Sequence, residues 1–138
     1  MAGLIFCLRA KGRGMKFQKI ALMLAPVLMM AGCAKSPEAT VQGFYAAIAA
    51  GEITEAEAHV SNQVIGMLGP QKLRAKLSSE SQRITACAGL DVVEVKLEGK
   101  GEVRHGTAVV KYKGSCDTSQ TKVALLKEDG KWKIGAGK

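Results

Sequence analysis

Aromatic side chains are scarce in this 138-residue chain: three Phe, two Tyr and one Trp. Only Phe44, Tyr45, Tyr112 and Trp132 lie beyond position 33, with no interleaving of rings and basic residues of the kind that marks nucleic-acid binders. Histidine is scarcer, at two. His59 and His105 stand apart, no CxxC or HxxxH spacing occurs, and no metal-ligand cluster is legible. There is no glycine-rich phosphate loop and no Gly-x-Ser-x-Gly nucleophile elbow. Long apolar runs are missing too. The longest, Ile20 to Ala31, has 12 residues, whereas a membrane-spanning helix needs ~20.

The net charge of +8 is not a property of the whole chain. Five of the 20 basic residues, Arg9, Lys11, Arg13, Lys16 and Lys19, precede Cys33. Residues 33–138 carry 15 basic against 12 acidic side chains, a net of +3. That balance does not point to nucleic acid, and neither a metal nor a cofactor is expected.

What is present begins with Met15 to Cys33, MKFQKIALMLAPVLMMAGC. Lys16 and Lys19 form a charged start, the 12-residue run follows, and small residues lead into a cysteine. This is the layout of a secretory leader. Met30-Ala31-Gly32-Cys33 resembles the lipobox of bacterial lipoproteins, with Met30 where that family has Leu, Val or Ile. The resemblance implies cleavage before Cys33, a diacylglycerol on its thiol and a further fatty acyl chain on its amine. Two or more chains hold a protein firmly to a bilayer, at ~0.8 kcal/mol per buried methylene. A leader starting at Met15 has 18 residues before Cys33. Residues 1–14 then read as a misassigned start or an inessential extension, the alternative being a long functional n-region. The expected organisation is a leader over 1–32, a lipidated tether over 33–35 and one domain over 36–138. Ala34, not Asp, follows the cysteine, the pattern that implies outer-membrane sorting in many two-membrane bacteria. The expected address is therefore the cell envelope, on the periplasmic face of the outer membrane.

Ser36-Pro37-Glu38 opens a helix, with Ser36 as N-cap and Pro37 in the first turn. Val41, Phe44, Tyr45 and Ile48 form its apolar stripe, and Gly51 ends it. Thr54-x-x-Glu57 reads as a capping box starting a short helix over about 54–60, which His59 closes. Val64, Ile65, Met67 and Leu68 read as an apolar connector filling the core, or else forming a lid. Gly69-Pro70 starts a third helix over about 70–84, with Leu73, Leu77 and Ile84 buried.

After Gly89 the period becomes 2. Val93, Val95 and Leu97 alternate with Glu94, Lys96 and Glu98, the pattern of a half-buried strand. Further strands are predicted over 105–113, 120–127 and 132–136, with Asp129-Gly130 as a two-residue hairpin turn. Folding the first hairpin about 101–102 pairs Val93 with Val110, Val95 with Ala108 and Asp91 with Tyr112. The same register sets Cys87 opposite Cys116. These two remain once Cys33 is acylated, and an even pair in an oxidising compartment favours a disulfide. Helices followed by four antiparallel strands make an α+β fold, helices packed on one sheet face.

SPEATVQGFYAAIAAGEITEA, then a helix, alternating strands and a closing LLKEDGKWKI, resembles small bacterial lipoproteins carrying a domain of unknown function. That domain belongs to the nuclear-transport-factor-2-like (NTF2-like), or cystatin-like, superfamily. The resemblance implies a curved four-stranded sheet wrapping a helix into a cone, sometimes with a pocket. Its members include isomerases, dehydratases, transport adaptors and subdomains without catalysis, so fold alone does not assign a role. Tyr45, Tyr112 and Trp132 are the candidate pocket residues. Lys96, Lys111, Lys113, Lys122 and Lys133 share the outward sheet face with Val92, Val109, Ala124 and Leu126, a candidate surface for anions or a protein partner. No pair of side chains has a spacing that argues for acid–base catalysis. The expectation is a non-catalytic binding module of the envelope, with membrane lipid and an envelope protein as partners. The alternative is a carrier of a small apolar ligand, or an isomerase-like enzyme, using the cone.

Overall fold

Ser36 caps the first helix as expected. In the computed structural model, which describes residues 35–136, its side-chain oxygen accepts the Ala39 N–H at 3.1 Å and starts α1, Pro37–Ala50. The expected leader and Cys33 lie outside the described residues. Gly51 ends α1 with φ +75°, a left-handed conformation that glycine adopts without strain. Val41, Tyr45 and Ile48 are buried on one face, while Phe44 is half-buried and meets Tyr45 edge-on, ring centroids 5.5 Å apart.

The next helix, α2, runs Ile53–Ala58 and ends at His59. The expected Thr54 capping box does not form. The chain leaves Gly51 already turning: Ile53 N–H bonds to the Gly51 carbonyl and Ala56 N–H to that of Glu52. The first turn is thus closed by backbone before Thr54 is reached, with Glu52 in the cap position. The connector over 64–68 is likewise corrected. It is a helix, α3, Asn62–Leu68, capped by the fully buried Ser61, whose hydroxyl accepts the Val64 N–H at 3.3 Å. Val64, Ile65 and Leu68 pack against the core, and Met67 points away from it, 70% exposed. Helix α4, Pro70–Ala86, buries Leu73, Leu77 and Ile84 as the spacing predicts.

Four strands follow: β1 Leu90–Glu98, β2 Val103–Tyr112, β3 Ser119–Glu128 and β4 Lys131–Gly135. They form one antiparallel sheet in the order β1-β2-β3-β4. Val93 pairs with Val110 and Val95 with Ala108, as alternation requires. The expected Asp91–Tyr112 pair is replaced by Leu90–Tyr112, because the ladder slips between Leu90 and Val92. This bulge leaves the charged residue out of the ladder and gives Tyr112 an apolar partner. Asp129 and Gly130 both have positive φ, +49° and +75°, the geometry of a type I′ hairpin turn. Helices and sheet meet in one core containing Val41, Ile48, Leu77, Ile84, Val110 and Leu125. The fold is α+β, as the order of elements implied.

Two ties position the outlying segments. Cys87, just after α4, is bonded to Cys116 in the loop after β2, with Cα atoms 5.5 Å apart. At the other border, residues 59–61 run parallel to β4: Ile134 N–H donates to the His59 carbonyl at 2.8 Å and Ser61 N–H to the Ile134 carbonyl at 2.9 Å.

Candidate functional site

Tyr45 of α1 and Tyr112 of β2 point into the core, 8% and 7% exposed. Arg83 of α4 reaches over them. Its Nη2 donates to the Tyr112 hydroxyl at 2.8 Å and to Glu80 at 2.5 Å, and its Nε donates to the second Glu80 oxygen at 3.0 Å. Hydrogen bonding to Glu80 holds the guanidinium above its ordinary range. Burial pushes the Tyr45 phenol up, with the Thr121 hydroxyl working against it. A phenol in that state is a fixed proton donor, not a base. The cluster is a set of satisfied polar groups at the rim of the core.

Trp132 is elsewhere. It lines a cleft of about 520 Å³ between the start of α1, the end of α2 and the β3–β4 turn, together with Lys35, Thr40, Glu55, His59 and Lys133. The structure thus separates the three candidate pocket residues: the tyrosines close the interior, and the indole faces this cleft. Arg104 and Lys127 flank the ring, their charged groups 5.2 and 5.8 Å from its centroid, within cation–π range. Lys127 pairs with Trp132 across the β3–β4 hairpin, and Arg104 arrives through the β2–β3 register, where it pairs with Leu125.

His59, which the sequence places at a helix end, also lines this cleft. Its ring lies over Gly43 of α1, where a Cβ would stand 3.4 Å from both Cε1 and Nε2. Nε2 is 3.7 Å from Glu55 Oε1. Burial pushes the imidazole below its ordinary value, helped by Lys35 and Lys133 and opposed by Glu55. A neutral ring beside an indole and several ammonium groups is equipped to accept a hydrogen bond from a ligand. No local sequence signal marks this cleft, because it depends on residues 59–61 pairing with β4. His105, by contrast, is exposed on the outer face of β2, between Glu98 and Ala124.

The five outward lysines divide. Lys111 is paired with Glu94 at 2.6 Å, and Lys133 donates to the Ala58 carbonyl at the end of α2. Lys96 and Lys122 flank Thr107 in one cross-strand row, and Lys113 stands beyond the end of β2. Val92 and Val103 are 43% and 45% exposed on the same face. Among the described residues, no group of three His, Cys, Asp or Glu is placed to hold a metal ion.

No protein-family model matches the sequence, and no curated protein matches it. Solved structures do match. One, from Campylobacter jejuni and carrying the provisional name NTF2-like transpeptidase, superposes with a TM-score of 0.64 at 12% identity. The superposition covers 75% of this chain and 100% of that one. The fold is therefore NTF2-like.

Proposed function

We propose that this chain is a lipid-anchored, non-catalytic binding module of the bacterial cell envelope, held at the outer membrane through an acylated Cys33 and contacting another envelope protein. The observation that carries this reading is the contrast between the two sheet faces. Inside, polar groups that an isomerase would use are spent on one another: Arg83 bonds to Glu80 and to the Tyr112 hydroxyl. Outside, Val92 and Val103 stand in solvent toward opposite ends of the face whose middle row carries Lys96 and Lys122. Exposed apolar side chains set among lysines leave this face open to a partner. The leader-like segment and the Cys87–Cys116 bond fit an oxidising, exported setting.

The second reading is a small-molecule site, favoured by the cleft at Trp132 and His59. The neighbour's name adds acyl transfer to the chemistries to consider. That reaction requires an activated nucleophile; here both described cysteines are joined, and the buried Ser61 hydroxyl is used in capping α3.

Photo-crosslinking in the native envelope separates the readings. A crosslinker at position 103 should give a discrete protein adduct that one at position 67 does not. No adduct from position 103, together with saturable binding of a small apolar dye that Trp132→Ala abolishes, would overturn the contact reading in favour of the carrier.

A further inference from the structure

The described chain begins where the sheet turns. Lys35 and Thr40, at the start of α1, line the same cleft as Gly130, Lys131 and Trp132. The β1–β2 turn is tied to the same end: Lys127 N–H donates to the Glu102 carbonyl at 2.9 Å, and Arg104 Nη1 to the Gly101 carbonyl at 2.8 Å. The disulfide and the loop after β2 lie at the opposite end of the strands. One end of the domain therefore carries both turns, the indole and the N-terminal entry of the chain.

Lys35 is two residues past Cys33 in sequence. Two extended residues span roughly 7 Å, about the thickness of one headgroup layer. A domain acylated at Cys33 has no freedom to stand off from the bilayer, and the turn end must meet it. The side chains there suit that contact. Trp is the residue most at home at the membrane–water boundary, with its ring against acyl carbon and its N–H toward water. Here it is half-buried between Arg104 and Lys127, whose long stems allow their charges to reach phosphates while the indole sinks. Lys35, Lys100 and Lys131 are exposed around them, with Glu102 and Asp129 as the acidic neighbours. Charge is mixed at this end, so the indole and the short tether, more than net field, set the contact.

We infer that the turn end of the sheet rests on the bilayer that holds the anchor, with Trp132 at headgroup level and Arg104 and Lys127 on anionic lipid phosphates. The inference rests on the lipid-anchor reading and adds the domain's orientation to it. It leaves the disulfide end pointing into the periplasm and the Val92–Val103 face turned sideways, open to a partner in the same membrane.

Trp132 is the only tryptophan in the chain, so its fluorescence reports this contact without labelling. Full-length protein purified from membranes is reconstituted into vesicles of phosphatidylethanolamine and phosphatidylglycerol, with or without bromine at a shallow acyl position, and Cys33 acylation is checked by mass spectrometry. Emission should shift to the blue on reconstitution and be quenched by the brominated lipid. An Arg104→Gln, Lys127→Gln double variant should show weaker quenching while remaining in the vesicle fraction. Acylated protein whose emission ignores bromine overturns the orientation and leaves the anchor standing. An unmodified Cys33 overturns the anchor reading, and the inference with it. Full quenching in the double variant overturns the role of the two cations.

Discussion

A methyl group at position 106 has nowhere to go. It would lie 1.8 Å from the Lys96 carbonyl oxygen and 2.8 Å from its carbon. These are backbone atoms of the neighbouring strand and do not swing aside. Gly106→Ala should therefore destabilise the fold by about 3 kcal/mol, as overpacking against backbone does, measured by urea denaturation; unchanged stability would show that β1 and β2 part easily there. Alternation alone leaves this position blank, since a glycine in a strand shows no side on which it packs. His59 was visible as a residue but not in its surroundings. Its folded pKa lies below the ordinary 6.5, chiefly through burial. Below that pH the unfolded chain takes up the proton more readily than the folded one. Stability is thus full above the unfolded value and is lost as pH falls through the lowered folded value. The melting temperature should drop on that acid limb in the parent, and the drop should be smaller in His59→Gln; superimposable profiles would mean that His59 titrates as it does in water.

Elements were legible where their period was clean. α1 and α4 bury the residues that their spacing marks, and β1 meets β2 in the register that alternation sets. The exceptions share a cause. Leu90-Asp91-Val92-Val93 has apolar side chains at both parities, so the bulge is silent in the pattern. α3 has seven residues, two turns with Gly66 inside, too short for a 3.6-residue period to declare itself. Ser61 does the work that propensity does not, so Ser61→Ala should cost about 1–2 kcal/mol by removing a buried cap. Hydrogen exchange would show the loss first in the amides of 62–68; uniform loss across the domain would deny α3 any separate stability. The disulfide acts at the next level, fastening the end of α4 to the β2–β3 loop across a sequence separation of 29. Replacing both cysteines with serine should lower unfolding free energy by about 3.5 kcal/mol in the chain-entropy account, with equal midpoints under reducing and oxidising conditions as the contrary result.

For the whole molecule, address and architecture are separable claims. Cys33→Ala should move the protein from the membrane to the soluble fraction of a fractionated envelope while leaving the circular dichroism of residues 36–136 unchanged; continued membrane association would assign retention to protein contacts. The fold class was readable because runs of helix precede runs of strand in the sequence. The cleft was not, because it is assembled from residues that only the closed structure brings side by side: Lys35, His59 and Trp132. The stretch that closes it has one more effect. With residues 59–61 hydrogen-bonded to Ile134 of β4, that flank of the sheet is occupied at Ile134, and β1 is the lateral strand without a backbone neighbour among the described residues. A particle with a single adhesive side joins one other copy and is then spent. Pairing through the β1 edge would join two copies of this domain back to back and leave no second β1 edge to carry the sheet further.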